Sequence, residues 1–350
     1  MFCVIRNSMA DKPWWQWPEP LRDRDETALR QMDAEYGDAL EEVAFEQFLL
    51  DAQWRRLRAQ ARHCGVDLFG DLPLFVAQDS VDVWANRHLF KLDQCGRPRV
   101  VAGVPPDYFS ATGQRWGNPQ YDWEVHRQTG FEWWTRRVAH EIGRFDLLRI
   151  DHFRGLDAVW EIPTESETAL QGTWVQVPGG ALLSSLKQRL GPLPLVAEDL
   201  GLISAAVLQL RDEFHLPGMR ILQFAFDGGA ENPYLPHNLV PDSVVYTGTH
   251  DNDTLRGWWD SLAPHQRQHV ADYLGCGLDR LPRELVRTAL ASVSLLSVVP
   301  MQDLLDLGAD ARMNLPGVAE GNWCWRFTWD QVPPDLSAQS LVLNTRYGRS

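Results

Sequence analysis

Three observations predict that this chain is an α/β protein of the (β/α)8-barrel kind. The first is a set of six short, near-continuous apolar runs: "VDLFGDLPLFV" (66–76), "FDLLRIDHF" (145–153), "LPLVAEDLG" (193–201), "MRILQFAFD" (219–227), "SVVYTGTHDN" (243–252) and "VSLLSVVPMQDLL" (293–305). Runs of this kind read as strands covered on both faces, and helical stretches such as "SAAVLQLRDEF" between them make βα units around a parallel sheet. The second is where the charge falls. Asp71, Asp151, Glu198, Asp251 and Asp303 each lie at or just past the C-terminal end of an apolar stretch, the end from which barrel enzymes build their sites. The third is that neither G-x-G-x-x-G nor G-x-x-x-x-G-K-[ST] occurs, so the glycine-rich phosphate turn of a doubly wound sheet has no candidate.

Taken in order, residues 1–65 read as a helical segment that packs on the barrel. The stretch "DALEEVAFEQFLLDAQWRRLRAQARHCG" spaces its apolar residues three and four apart, and Gly65 stops it. Residues 66–335 are expected to be the catalytic barrel, and 336–350 a C-terminal tail. Two long insertions interrupt the barrel, at about 77–145 and 163–190. The first contains "VAGVPPDYFSATGQRWGNPQYDW", whose density of Pro, Gly and aromatic residues is loop composition.

With 44% hydrophobic and 23% charged residues, a 350-residue chain has enough apolar material for one large core or two modest ones. Lys and Arg number 33 against 47 Asp and Glu, a net charge of −14 that repels phosphate backbones and anionic lipid. Nucleic acid and membrane are therefore not expected as partners. No apolar run approaches the roughly 18 residues of a membrane span, and the start lacks a signal-peptide pattern, so the cytoplasm is the expected compartment. The five Cys are scattered without a C-x-x-C pair and read as ordinary reduced residues. Asn252-Asp253-Thr254 matches a glycosylation sequon by chance. No pattern speaks for a particular oligomeric state. Sixteen Trp against seven Tyr is an unusual ratio. Each buried indole needs a partner for its N–H, so about half are expected in the core and the rest on surfaces where flat rings stack on sugars.

The chemistry follows from the strand-end acids. Arg149 and Asp151 stand two apart and share a face of their strand. A cation beside Asp151 keeps the carboxylate ionised, as a nucleophile must be. Glu198 follows Val196 and Ala197, and such apolar surroundings raise a carboxyl's pKa and suit it to donate a proton. Two acids facing one glycosidic bond divide the work in this way, and Asp251 adds a third charge to stabilise an oxocarbenium-like state while His250 donates to a sugar hydroxyl. The same residues fit other readings. Arg149 and Asp151 alone make a structural ion pair, Asp199 and the Asp251–Thr254 stretch resemble helix caps, and three acids at strand ends match a magnesium site.

Taken together, the stretches "GDLPLFVAQDSVDVWANRHLFKLD", "VVAGVPPDYFSATGQRWGNPQYDW", "LLRIDHFRGL", "VAEDLG", "HLPGMRILQFAFDGGAENPYLPHN", "VVYTGTHDNDT" and "GNWCWRF" resemble the 4-alpha-glucanotransferases, or amylomaltases. The matches run from about residue 12 to 330. This resemblance implies a retaining α-glucan enzyme on a (β/α)8 barrel, acting on maltooligosaccharides and other α-1,4-glucans without cofactor or metal. It makes Asp151 the nucleophile, Glu198 the acid/base and Asp251 the transition-state stabiliser. Arg149 and His250 would hold the sugar in the reactive subsite, and Asp71, Gln114, Trp116 and Asn322 fall on glucan-contacting motifs. Tyr108 and Phe109 lie on a stretch similar to the family's acceptor-side lid. A hydrolase with the same site is the alternative. The resemblance also sets an expectation about the front of the chain. Six strand runs are visible where a barrel needs eight, so they are numbered as barrel strands 3 to 8. The chain is then expected to be the C-terminal portion of a longer protein, left aggregated or partly molten without two strands, and an inactive truncated glucan-binding fragment is a further alternative reading.

Overall fold

Leu148 and Ile150 point into a core with Leu195 and Ala197, because two neighbouring apolar runs lie side by side as parallel strands. The computed structural model describes residues 1–106, 110–201, 203–318 and 320–349, and the chain divides into two units, 1–214 and 215–350. Among the described residues the first unit contains strands β1 (Phe69–Pro73), β2 (Val100–Val104), β3 (Gln114–Pro119), β4 (Leu147–Asp151), β5 (Ala158–Pro163), β6 (Thr173–Gln176) and β7 (Leu195–Ala197). The second contains β8 (Gly218–Ile221), β9 (Ser243–Tyr246) and β10 (Leu296–Val298). Every one of the six apolar runs contributes a strand, three to each unit, and the parallel βα character expected of the chain is present in both.

In the first unit β4 lies between β1 and β7, parallel to both. The register sets Asp71 opposite Arg149 and Arg149 opposite Val196. Helices Glu132–Arg144 and Gly179–Leu190 supply apolar cover through Trp133, Trp134, Val138, Leu182, Leu183 and Leu186. Gly179 starts its helix against the chain, since a Cβ there would come within 2.0 Å of the Leu156 carbonyl.

The stretch read as loop composition forms strands. β3, β2, β5 and β6 make a four-stranded antiparallel sheet in that order, with a register shift between Val101 and Gly103. Glycine disguises it: a Cβ at Gly103 would sit 2.2 Å from the Gln114 carbonyl, so only glycine lets β2 and β3 approach this closely.

The long helix Gly37–His63 carries no buried residue, yet it is tied to the sheet. Trp54 Nε1 donates to the Arg144 carbonyl (3.0 Å), while Arg58 and Arg62 both reach Asp146, just before β4, at 2.8 and 2.6 Å. In the second unit β9 is flanked by β8 and β10, all parallel, and its four residues are buried. Leu222, Val245, Trp259, Leu285 and Ala289 form the core behind it. Seven of the sixteen Trp are buried, at 14, 17, 84, 123, 133, 134 and 259, whereas Trp116, Trp174, Trp323 and Trp329 are exposed. No helix among the described residues is long and apolar enough to cross a membrane.

Candidate active site

In a parallel sheet, residues in register point to the same face, and this brings the first group together. Arg149 is 8% exposed and spans two carboxylates: Nη1 donates to Asp71 Oδ2 at 2.6 Å and Nη2 reaches Asp151 Oδ1 at 2.7 Å. Those acids keep open faces, with 40% of the Asp71 and 44% of the Asp151 side chain exposed. Burial disfavours the Arg149 cation, but the charges of Asp151, Asp71 and Glu198 more than offset it and hold its pKa above the usual value. The cation of this acidic group is therefore a guanidinium from the chain itself, placed between the two strand-end aspartates.

Glu198 stands one residue past β7, and one more step of the register sets it beside Asp151. Its backbone is stitched to the neighbouring strand, the Glu198 N–H donating to the Ile150 carbonyl (3.1 Å) and the Phe153 N–H to the Glu198 carbonyl (3.2 Å). The carboxyl accepts from the backbone N–H groups of His152 (2.8 Å) and Leu200 (3.2 Å). Burial pushes its pKa up to about 8, with a further push from Asp151. Arg149 and the two N–H donors pull the other way without reversing the shift. Two carboxyl groups on adjacent strands thus differ in kind. Asp151 is open to solvent and beside a cation; Glu198 is set deep and holds its proton near neutrality.

The second unit holds a separate cluster past the end of β9. Asp251 Oδ1 accepts from Asn314 Nδ2 at 2.6 Å, its carbonyl accepts from Arg312 Nη2 at 2.6 Å, and His250 Nε2 lies 3.4 Å from Oδ2. The His250 ring packs against Trp323, centroids 5.0 Å apart. A cavity of about 140 Å³ opens beside them, lined by Thr249, Asn252, Gln302 and Met313 among others. Sequence reasoning passed over Asn314 and Arg312. Asn314 is separated from Asp251 by 63 residues, and no local pattern links them.

The other candidates are placed as follows. Gln114 and Trp116 lie on β3, joined by a bond from Trp116 Nε1 to Gln114 Oε1 (3.1 Å), and the Trp116 ring meets His152 edge-on at 4.9 Å. The Asn322 amide fastens its own loop, Oδ1 accepting from the Leu315 N–H and Nδ2 donating to the Val318 carbonyl, both at 2.8 Å. Tyr108 and Phe109 lie outside the described residues. Of the cap-like residues, Thr254 caps a helix and Asp199 does not. Ser204 caps the helix Ala205–Glu213 and Thr254 caps Leu255–Ser261, while Asp199 pairs with Arg211 at 2.6 Å. Asp303, one of the five strand-end acids, is 5% exposed and accepts from Thr247 Oγ1 (2.6 Å) and the Leu255 N–H (2.7 Å), which anchors the segment carrying Asp251.

Residues 1–331 match the 4-alpha-glucanotransferase family. The 4-alpha-glucanotransferase of Thermus thermophilus is 47% identical over 97% of this chain and 69% of its own length. The chloroplastic/amyloplastic 4-alpha-glucanotransferase of Solanum tuberosum is 44% identical over 99% of this chain and 61% of its own length. Among solved structures, the amylomaltase of Streptococcus agalactiae in complex with acarbose superposes with a TM-score of 0.96 at 36% identity, covering all of this chain and 71% of that one. The chain therefore spans between about three fifths and seven tenths of the length of these relatives.

Proposed function

The chain belongs to the 4-alpha-glucanotransferase family, and on that premise we propose that it transfers a segment of an α-1,4-glucan to the 4-hydroxyl of an acceptor glucose or maltooligosaccharide by a retaining double displacement. The observation that carries the reading is the contrast between adjacent carboxyls: Asp151 open and beside Arg149, Glu198 buried with its pKa pushed up to about 8.

Asp151 attacks the anomeric carbon. Arg149, fixed on its other side by Asp71, orients the attacking carboxylate. Glu198, protonated at neutral pH, gives its proton to the departing glucan oxygen as the glycosidic bond breaks, and a covalent glucosyl ester remains on Asp151. The carboxylate left on Glu198 then removes the proton of an incoming 4-hydroxyl. That oxygen attacks the same carbon from the face the donor left, Asp151 departs, and the α-1,4 bond is remade. We assign to Asp251 the stabilisation of the oxocarbenium-like state, its carboxylate aimed by Asn314, and to His250 a hydrogen bond to a sugar hydroxyl. The exposed Gln114–Trp116 pair offers an amide and a flat aromatic face to glucan rings, and Asn322 shapes the loop it fastens. Acarbose held by the Streptococcus agalactiae relative is in keeping with an α-glucan as ligand.

Incubation of the chain with maltotriose tests the reading. Chromatography is expected to show glucose together with maltooligosaccharides longer than the substrate. Shortening alone, with no product longer than maltotriose, would assign the site to hydrolysis and refute transfer.

A further inference from the structure

His152 follows the proposed nucleophile directly, and its backbone is in the left-handed region with φ 54° and ψ 48°. Few residues other than glycine occupy that region, although His, Asn and Asp do so more readily than the rest. The conformation matters because the His152 N–H is one of the two backbone donors to the Glu198 carboxyl, at 2.8 Å to Oε2. The ring has a fitted socket. Trp116 meets it edge-on at 4.9 Å, Phe75 lies 6.1 Å away, and a Cβ at residue 155 would come within 2.8 Å of its Cδ2, so the ring is accommodated because that residue is glycine. Nε2 is buried with no hydrogen-bond partner among the described residues. Burial, with the Arg154 cation adding to it, pushes the ring's pKa down to about 3, so the ring is neutral at pH 7.

We propose that His152 is a positioning residue for the acid/base. The left-handed backbone of residue 152, which histidine adopts with its ring seated between Trp116, Phe75 and Gly155, aims its N–H at Glu198. The inference rests on the acid/base assignment of Glu198 made above. It gives the left-handed backbone a consequence that packing alone would not have. The charged groups facing the Glu198 carboxyl are Arg149 and Asp151, both on β4. With these unchanged, loss of the His152 donor removes a bond made to the ionised form and shifts Glu198 titration upward.

The test uses the full chain with carbon-13 labelled glutamate, so that the Glu198 carboxyl is titrated by NMR independently of turnover, beside the pH profile of maltotriose disproportionation. His152→Val places a β-branched residue where φ must be positive. It is expected to raise the Glu198 midpoint and the basic limb of the kcat profile together, by about one pH unit, and to lower kcat roughly tenfold with little change in KM. His152→Gly restores access to the left-handed region and is expected to return both midpoints to their wild-type positions. A folded valine variant with unmoved midpoints overturns the proposal, as does a glycine variant that moves them as far as valine does. Should the valine variant fail to fold, His152→Asn decides. Asparagine tolerates the same region and leaves the midpoint in place, and a folded asparagine variant with a raised midpoint overturns the proposal. A wild-type chain that transfers no glucan while the midpoints behave as expected would fault the functional reading and leave the positioning role standing.

Discussion

Strand β4 has an aspartate at each end, and the two are treated in opposite ways. Asp146, just before the strand, has 13% of its side chain exposed and is enclosed by donors: Arg58, Arg62 and the Leu68 N–H. Its burial favours the neutral acid, but those hydrogen bonds outweigh it and hold the carboxyl well below the usual carboxylate range. Asp151, five residues on, has 44% of its side chain exposed and one arginine at one oxygen. An acid closed off by partners has no lone pair to offer a substrate. The N-terminal end of the strand serves the fold, fastening the helix Gly37–His63, and the C-terminal end keeps its carboxylate available. This is the division between stability face and reaction face that parallel βα units impose.

The largest effect expected from this contrast is at Asp151. Asp151→Asn keeps the size of the side chain and removes its nucleophilicity, so disproportionation of maltotriose should fall by roughly 10⁴-fold or more while glucan binding persists. A residual rate within tenfold of wild type would break the comparison, because the open acid would then be dispensable.

Glu198→Gln sharpens it from the side of stability. The folded-state pKa of Glu198 is raised, so between the unfolded value near 4.3 and about 8 the folded chain holds a proton that the unfolded chain releases. Stability from this group is present at low pH and declines as pH rises through that window. The glutamine variant should lack activity yet melt a few degrees higher than wild type at pH 8, with little difference at pH 4. Equal melting temperatures at both pH values would show that the buried carboxyl carries no strain.

Asp146→Asn should behave in the reverse way, with the smallest effect of the three. Its folded pKa is depressed, so its contribution is present above about 3.9 and lost as pH falls below that value. The variant is expected to lose about 1–3 kcal/mol at neutral pH, read by denaturant unfolding, while the catalytic rate of the folded fraction stays near wild type. A large drop in kcat with unchanged stability would contradict the assignment of this end to the fold.

What could be read in advance follows the same line between local and distant causes. The parallel strands were legible because burial on both faces demands unbroken apolar residues, and Arg149 with Asp151 because side chains alternate along a strand. The partner of Arg149 on its other side, Asp71, lies 78 residues away and is set opposite it only by strand register. Asn314 reaches Asp251 across 63 residues through a loop without periodicity. The antiparallel sheet was hidden because Gly103, which permits close strand approach, reads locally as a turn residue. His152 was within the most informative stretch of the chain, but its part is played by a backbone N–H, which every residue except proline possesses and no side-chain pattern reveals.

The central claim, that the open acid at the end of β4 forms a covalent bond to sugar while buried Glu198 supplies and removes the proton, has a direct measurement. An α-glucosyl fluoride donor needs no acid to release its leaving group, so in the Glu198→Gln variant the first step proceeds and the second, lacking its base, is slow. Mass spectrometry of the digested protein should find one hexose on the peptide containing residues 145–153, with fragmentation placing it on Asp151 and none on Asp146. A hexose mapped to any other carboxylate, or fluoride release at the enzyme's own rate with no sugar retained on the chain, would contradict the account.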